Sequence, residues 1–162
     1  MPFFRATKNG ITVKFDRTDA RLLASLATQL VEVLEGRADA GDDPALVRLF
    51  PDAYRDSAED AAEFRRFTET ELADDKMRSA LGMVELLTPA DDSAKQVHVV
   101  LDPEAAFDWM RSFTDIRLAI AARLEIVDED SPVVFDAETR YTRAVYNWLG
   151  GLQWSLVRAI DK

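Results

Sequence analysis

The chain predicts a mainly α fold with a small β element: an N-terminal β-hairpin and one further strand, residues 97–101, packed on a multi-helix bundle that ends in an antiparallel helix pair. Three observations predict it. Asn9-Gly10, the preferred two-residue turn of a type I′ hairpin, sits between short alternating segments. Val97-His98-Val99-Val100-Leu101 is the other good strand candidate. The rest of the sequence carries apolar residues at helical spacing, interrupted by stretches rich in Pro, Gly and Asp. With 162 residues and 48% hydrophobic content the chain can bury one substantial core, so a single domain over 1–162 is expected.

Setting Lys8 opposite Ile11 pairs Ala6 with Val13 and Phe4 with Phe15. That register puts Phe4, Ala6, Ile11, Val13 and Phe15 on a buried face and Phe3, Arg5, Thr7, Thr12 and Lys14 on the other. An isolated hairpin is marginal, so strand 97–101 is expected to pack near it or pair with it in a small antiparallel or mixed sheet. Asp16 or Thr18 caps a helix reaching about Glu35, with Leu22, Leu23, Leu26, Leu30, Val33 and Leu34 at helical spacing and Gly36 as its stop. Residues 36–43 lack apolar periodicity and predict an exposed, mobile loop. Asp43-Pro44 then opens a short helix that ends near Phe50-Pro51.

Ser57-Ala58-Glu59-Asp60 resembles a capping box with Asp in place of Glu, and helix-forming residues continue to Leu87, before the stop at Thr88-Pro89. Apolar spacing is good at Phe64, Phe67, Met77, Leu81, Val84 and Leu87 but falters across Glu69 to Lys76, where a bend or a solvated middle is expected. Asp102-Pro103 starts a helix to about Ile126, which Asp128-Glu129-Asp130-Ser131-Pro132 breaks. The last helix runs from near Asp136 to Ala159.

The net charge of −10 repels nucleic-acid phosphates and anionic lipid at long range and favours a protein partner with a basic surface. The chain has no cysteine, which excludes disulfides, thiolate metal sites and thiol nucleophiles. No segment resembles a signal peptide or approaches the length of a membrane span, so a cytoplasmic protein without membrane contact is expected. His98 lies on the outward phase of its strand with no second histidine, and reads as a surface residue. The acidic groups Asp42-Asp43, Asp74-Asp75 and Asp128-Glu129-Asp130 lack calcium-loop spacing and read as solvated charge, so no metal and no cofactor is expected. Met77, Met83 and Met110 sit at core spacing. No phosphate loop, nucleophile elbow, zinc motif or dinucleotide fingerprint is present. A protein that is not an enzyme follows, with a carboxylate-based hydrolase as the rival from the enzyme class.

The most unusual local pattern is arginine within apolar faces. Phe113, Ile120 and Leu124 surround Arg117 at helical offsets, and Arg123 lies beside Ile116, Ala119, Ile120 and Val127. Asp115 can pair with Arg111 on its own helix, whereas Arg117 and Arg123 need acceptors from elsewhere, such as Glu138, Asn147 or helix-end carbonyls. Two readings stay open: a satisfied internal network, or an arginine left for a partner's carboxylate. Gly150-Gly151 costs about 1 kcal/mol per glycine relative to alanine inside a helix, which predicts close approach of another helix. That helix belongs either to the same chain or to a second copy in a homodimer, with Trp148 and Trp154 flanking the contact. Arg140 and Arg143 share a helical face and form the candidate partner surface, for a protein or for direct DNA contact.

The helix Phe113-Thr114-Asp115-Ile116-Arg117-Leu118-Ala119-Ile120-Ala121-Ala122-Arg123-Leu124-Glu125-Ile126 and the later Tyr146-Asn147-Trp148-Leu149-Gly150-Gly151-Leu152-Gln153 resemble the C-terminal motifs of an actinobacterial family. This is the AosR family of oxidative-stress transcriptional regulators, long catalogued as a domain of unknown function. The hairpin with its leucine-rich helix and the segment Glu63-Phe64-Arg65-Arg66-Phe67-Thr68 also fit, so the resemblance spans the chain. It implies a cytoplasmic regulator that contacts the transcription machinery, including a stress sigma factor, and implies no catalytic site. Asp115, Arg117, Leu118, Arg123, Leu124, Trp148, Leu149, Gly150, Leu152 and Gln153 are the family-like positions, and most of them are expected to be structural. Cysteine-based redox sensing attributed to family members does not transfer to a chain without cysteine.

Overall fold

The computed structural model describes residues 2–39, 43–51, 59–130 and 137–162, with side chains described for all of these but 59–65 and 125–130. The elements run β1 (Arg5–Thr7), β2 (Gly10–Asp16), α1 (Arg17–Glu35), α2 (Pro44–Leu49), α3 (Glu59–Leu87), β3 (Gln96–Leu101), α4 (Pro103–Asp130) and α5 (Ala137–Ile160). The predicted fold class is found: a mostly helical chain with a three-stranded antiparallel sheet and a C-terminal helix pair.

Strand β2 is central, with β1 and β3 both antiparallel to it. The hairpin register differs from the expected one. Arg5 faces Thr12, Ala6 faces Ile11 and Thr7 faces Gly10, so Lys8-Asn9 forms the turn. Thr7 stabilises that turn: its Oγ1 donates to the Gly10 carbonyl at 2.8 Å and accepts from the Asn9 N–H at 3.2 Å. Because the shift is two residues, each side chain keeps its face. Phe4, Ile11, Val13 and Phe15 are buried as expected, while Ala6, on the short edge strand, is exposed.

Gly10 is required for a reason other than the turn. Its φ is +121°, and a Cβ there would lie 2.4 Å from the Leu101 carbonyl oxygen on β3. Gly10→Ala is therefore expected to destabilise the fold by about 2–3 kcal/mol, through backbone strain and displacement of β3. Chemical unfolding monitored by circular dichroism checks this.

Asp16 flanks α1 as expected, but its side chain makes no capping hydrogen bond. The Arg17 N–H is instead satisfied by the Lys95 carbonyl at 3.0 Å, in the loop that leads to β3. The buried stripe of α1 is Ala20, Leu23, Ala27, Leu30, Val31 and Leu34. Asp43 caps α2 by accepting the Ala45 N–H at 2.9 Å. Asp102 does the same for α4 through the Ala105 N–H at 2.7 Å. Helix α4 continues to Asp130, past the expected end near Ile126. The Ser57-Ala58 capping box, the Ser131-Pro132 break and residues 40–42 of the first loop lie outside the described residues.

In α3 the expected solvated middle is found, since Ala73 is the one buried residue between Glu69 and Lys76, but Phe67, expected on the apolar face, is exposed as well. Helix α3 runs unbroken through it. The buried stripe then runs Ala73, Ala80, Met83 and Leu87, and Leu81, expected inside, is 53% exposed. Helix α1 packs along α3, α2 against α4, and α4 against both α3 and α5. An aromatic cluster joins sheet to helices: Trp109 and Phe113 of α4 meet Phe4 and Phe15, with ring centroids 6.1–6.3 Å apart. The Phe4 N–H donates to Ser155 Oγ at 2.9 Å, tying the hairpin to α5.

Candidate functional site

The family-like positions converge on the seam between α4 and α5. Arg117 projects from α4 across α5, with its guanidinium 4.6 Å above the Tyr146 ring and Nη1 donating to Gln153 Oε1 at 3.1 Å. The Gln153 amide nitrogen donates in turn to Thr114 Oγ1 at 2.6 Å and to the Met110 carbonyl at 3.3 Å. One side chain on α5 thus contacts three positions along α4, and with Tyr146 opposite Arg117 and Gln153 opposite Met110 the two helices run antiparallel. The side-chain acceptor found for Arg117 is Gln153 rather than Glu138 or Asn147. Its Nε is buried and makes no hydrogen bond.

What lies against Gly150 is the Arg117 guanidinium reaching over from α4 of the same chain, rather than the backbone of a closely approaching helix. A Cβ at Gly150 would sit 3.1 Å from Arg117 Nη2 and 3.3 Å from Cζ. Removing the glycine should return helix propensity worth about 1 kcal/mol while pushing Arg117 off Tyr146 and Gln153. Gly150→Ala is therefore expected to gain about 1 kcal/mol in an Arg117→Ala background and little or nothing in the parent chain. A double-mutant cycle on unfolding free energies measures that coupling; additive values would disprove it.

The other family-like residues divide by environment. Leu149 and Leu152 are fully buried, Leu124 is nearly so, and Leu118 and Trp148 pack partly against the core. Arg123, expected to need an internal acceptor, is exposed to solvent instead. Trp154 does not flank the helix contact. It is 60% exposed, with the Arg158 guanidinium 4.7 Å over its ring. Arg140 and Arg143 are both exposed on α5. His98 is exposed on β3, and Met83 is fully buried.

Asp115 pairs differently from the expectation. Arg111 turns to Asp108 on its own helix, and Asp115 Oδ1 receives the Lys76 ammonium of α3 at 2.7 Å. The reason is burial: Asp115 faces α3 with a side chain 6% exposed, so a cation from the facing helix reaches it between the two helices. Burial pushes the Asp115 carboxyl above its ordinary range, while the Lys76 hydrogen bond and charge and the Arg111 charge work against that rise. Leu72, Asp75, Ser79 and Met110 help line a groove of about 260 Å³ beside the pair.

Lys76 was missed in the sequence, yet a signal was there. It continues the 3-4 spacing of Ala73, Ala80, Met83 and Leu87, which places it on the buried side of α3. On α4, Ser112 and Asp115 are buried with it, whereas Ala119 and Ala122 further along pack on Ala45 of α2. Among the described residues no group of three or more His, Cys, Asp or Glu is arranged to hold a metal ion.

Residues 1–160 match the family described as Domain of unknown function (DUF2017). The chain belongs to the DUF2017 family. A relative from Mycobacterium leprae (strain TN), named "Putative oxidative stress regulator AosR", is 29% identical over 141 residues, which is 77% of this chain and 62% of that protein. This DUF2017 chain therefore spans less than two thirds of the length of that relative. No solved structure matches it. No described helix is long and apolar enough to cross a membrane.

Proposed function

We propose that this DUF2017 protein is a non-enzymatic cytoplasmic regulator of the oxidative-stress response that acts through protein contacts with the transcription machinery, with a stress sigma factor as the partner class. The likeness to the Mycobacterium leprae regulator carries the reading. The geometry of the family-like residues supports it, because Arg117, Gly150 and Gln153 serve the α4 and α5 seam and Asp115 serves the α3 and α4 seam. These residues build a scaffold that presents surfaces. They do not assemble a reacting centre.

The hydrolase alternative needs two carboxylates in opposed environments across a cleft. The groove beside Asp115 offers Asp75, which is 60% exposed and bonded to Arg78 on its own helix at 3.0 Å. Asp115 itself is held by Lys76, so these two carboxylates do not form an acid and base pair across the groove.

Isolation of the tagged full chain from its host, under mild and oxidising conditions, tests the reading. Recovery of a transcription-machinery subunit identified by mass spectrometry is the expected result. Recovery of the chain alone under both conditions would refute it. The exposed Arg140 and Arg143 supply the rival, direct DNA contact. A salt-dependent mobility shift on stress-promoter DNA that Arg140→Ala with Arg143→Ala abolishes would favour that rival.

A further inference from the structure

Two clefts adjoin on the outer side of the hairpin. One, of about 430 Å³, lies between β1 and the last turns of α5, and Phe3, Arg5, Trp154, Arg158 and Lys162 help line it. The other, of about 440 Å³, lies over the outer face of the sheet, shares Phe3 and Arg5, and adds Lys14. Among the described residues no aspartate or glutamate lines either cleft, in a chain whose net charge is −10. Nor does Arg5, Lys14, Arg158 or Lys162 make an ion pair among the described residues. Phe3 and Trp154 stand 58% and 60% exposed between these cations.

Such a cluster is disfavoured in the free protein on two counts. Four like charges share the clefts with no acidic side chain among them, and two large aromatic rings stay in water although each gains from burial. An occupant carrying carboxylates and an apolar side chain relieves both. We propose that the joined clefts dock an acidic, apolar-studded segment of a partner protein, with its carboxylates on Arg5, Lys14, Arg158 and Lys162 and an apolar side chain between Phe3 and Trp154. Arginine beside an exposed aromatic ring suits this task, because the guanidinium keeps its forked donors for carboxylate while its face rests on the ring. Nucleic acid also offers anions and stacking surfaces, but the net charge of −10 opposes a polyphosphate at long range, whereas a short segment with few carboxylates meets mainly the local field. The surface is distinct from Arg140 and Arg143, and the proposal rests on the protein-contact reading of function.

The test uses the full chain and a short fluorescein-labelled peptide of alternating glutamate and leucine, followed by fluorescence anisotropy. Saturable binding that weakens as salt is raised is expected, with a loss of about tenfold or more for Arg158→Glu and for Arg5→Glu. Trp154→Ala should weaken binding as well, and Arg140→Glu should not. Arg5→Ala and Arg158→Ala, checked for folding by circular dichroism, keep the test valid if a charge reversal disturbs the hairpin. Equal binding of the same peptide with glutamine for glutamate would overturn the proposal. So would preferential binding of a single-stranded oligonucleotide, or a loss confined to Arg140→Glu. Failure of the peptide leaves recovery of a transcription-machinery subunit intact as the measure of the functional reading. Peptide binding without such recovery would sink that reading and keep the cleft.

Discussion

Trp109→Ala is expected to lower the unfolding free energy by about 3–5 kcal/mol, the range for losing a large aromatic side chain from a packed interior. Trp109 is 1% exposed and meets Phe4 at 6.2 Å, Phe15 at 6.3 Å and Phe113 at 6.1 Å between ring centroids. It is the piece through which the sheet grips the helices, so its loss should loosen the hairpin before the helical bundle. Hydrogen exchange on β1 and β2 would show that order. The indole N–H is buried without a hydrogen-bond partner. Trp109→Phe removes that unsatisfied donor while keeping most of the ring, and should cost less than half as much as Trp109→Ala. Equal losses for the two variants would mean that ring packing is not the source of the stability.

Lys76→Met is expected to cost about 3–5 kcal/mol at neutral pH, because it leaves the Asp115 carboxylate buried and unpaired. The penalty should depend on pH in a defined direction. The folded pKa of Asp115 is raised above the ordinary value of 3.8. This group therefore contributes stability that is complete below the unfolded value and is lost as pH rises through the folded value. In Lys76→Met the two lowering influences of Lys76 vanish and the folded pKa rises further, so the loss continues to higher pH. The gap between variant and parent should be widest near neutral pH and shrink as pH falls toward the ordinary carboxylate range. Urea unfolding across that span measures it. A gap that widens in acid would show that Asp115 is not the group left unpaired. Lys76→Met combined with Asp115→Leu should recover much of the loss, since no buried charge then lacks a partner.

Much of the fold was legible because it follows from local rules. Asp43 and Asp102 cap the helices that their proline neighbours open, by hydrogen bonds that span two or three residues. The faces of β2 and β3 alternate as pleating demands, with Val97, Val99 and Leu101 turned inward. The hairpin register was not legible in the same way. Asn9-Gly10 fits a turn on its own, but Thr7 bonding and the approach of Leu101 at Gly10 move the turn to Lys8-Asn9. Since the shift is even, the core face survived the difference.

The partners of the charged residues were beyond local reading. Asp115 has Arg111 one turn away, and nothing in that spacing tells that α3 will cover the carboxylate and bring Lys76 with it. Arg117 and Arg123 both sit among apolar neighbours in sequence, yet one lies in the seam against Tyr146 and Gly150 and the other is in water. Periodicity tells which residues share a face, not which helix that face meets or how far from the seam each one falls.

Most helix spans, the Asp43 and Asp102 caps, the strand faces and the family motifs were thus properties of the chain read in order, because short-range hydrogen bonding and side-chain periodicity act within a few residues. The Lys76 to Asp115 pair, the Arg117, Tyr146, Gly150 and Gln153 contact, and the gathering of Arg5, Arg158 and Lys162 around exposed aromatics were decided only in three dimensions. Each joins residues tens of positions apart or more, and only helix packing and burial bring them together.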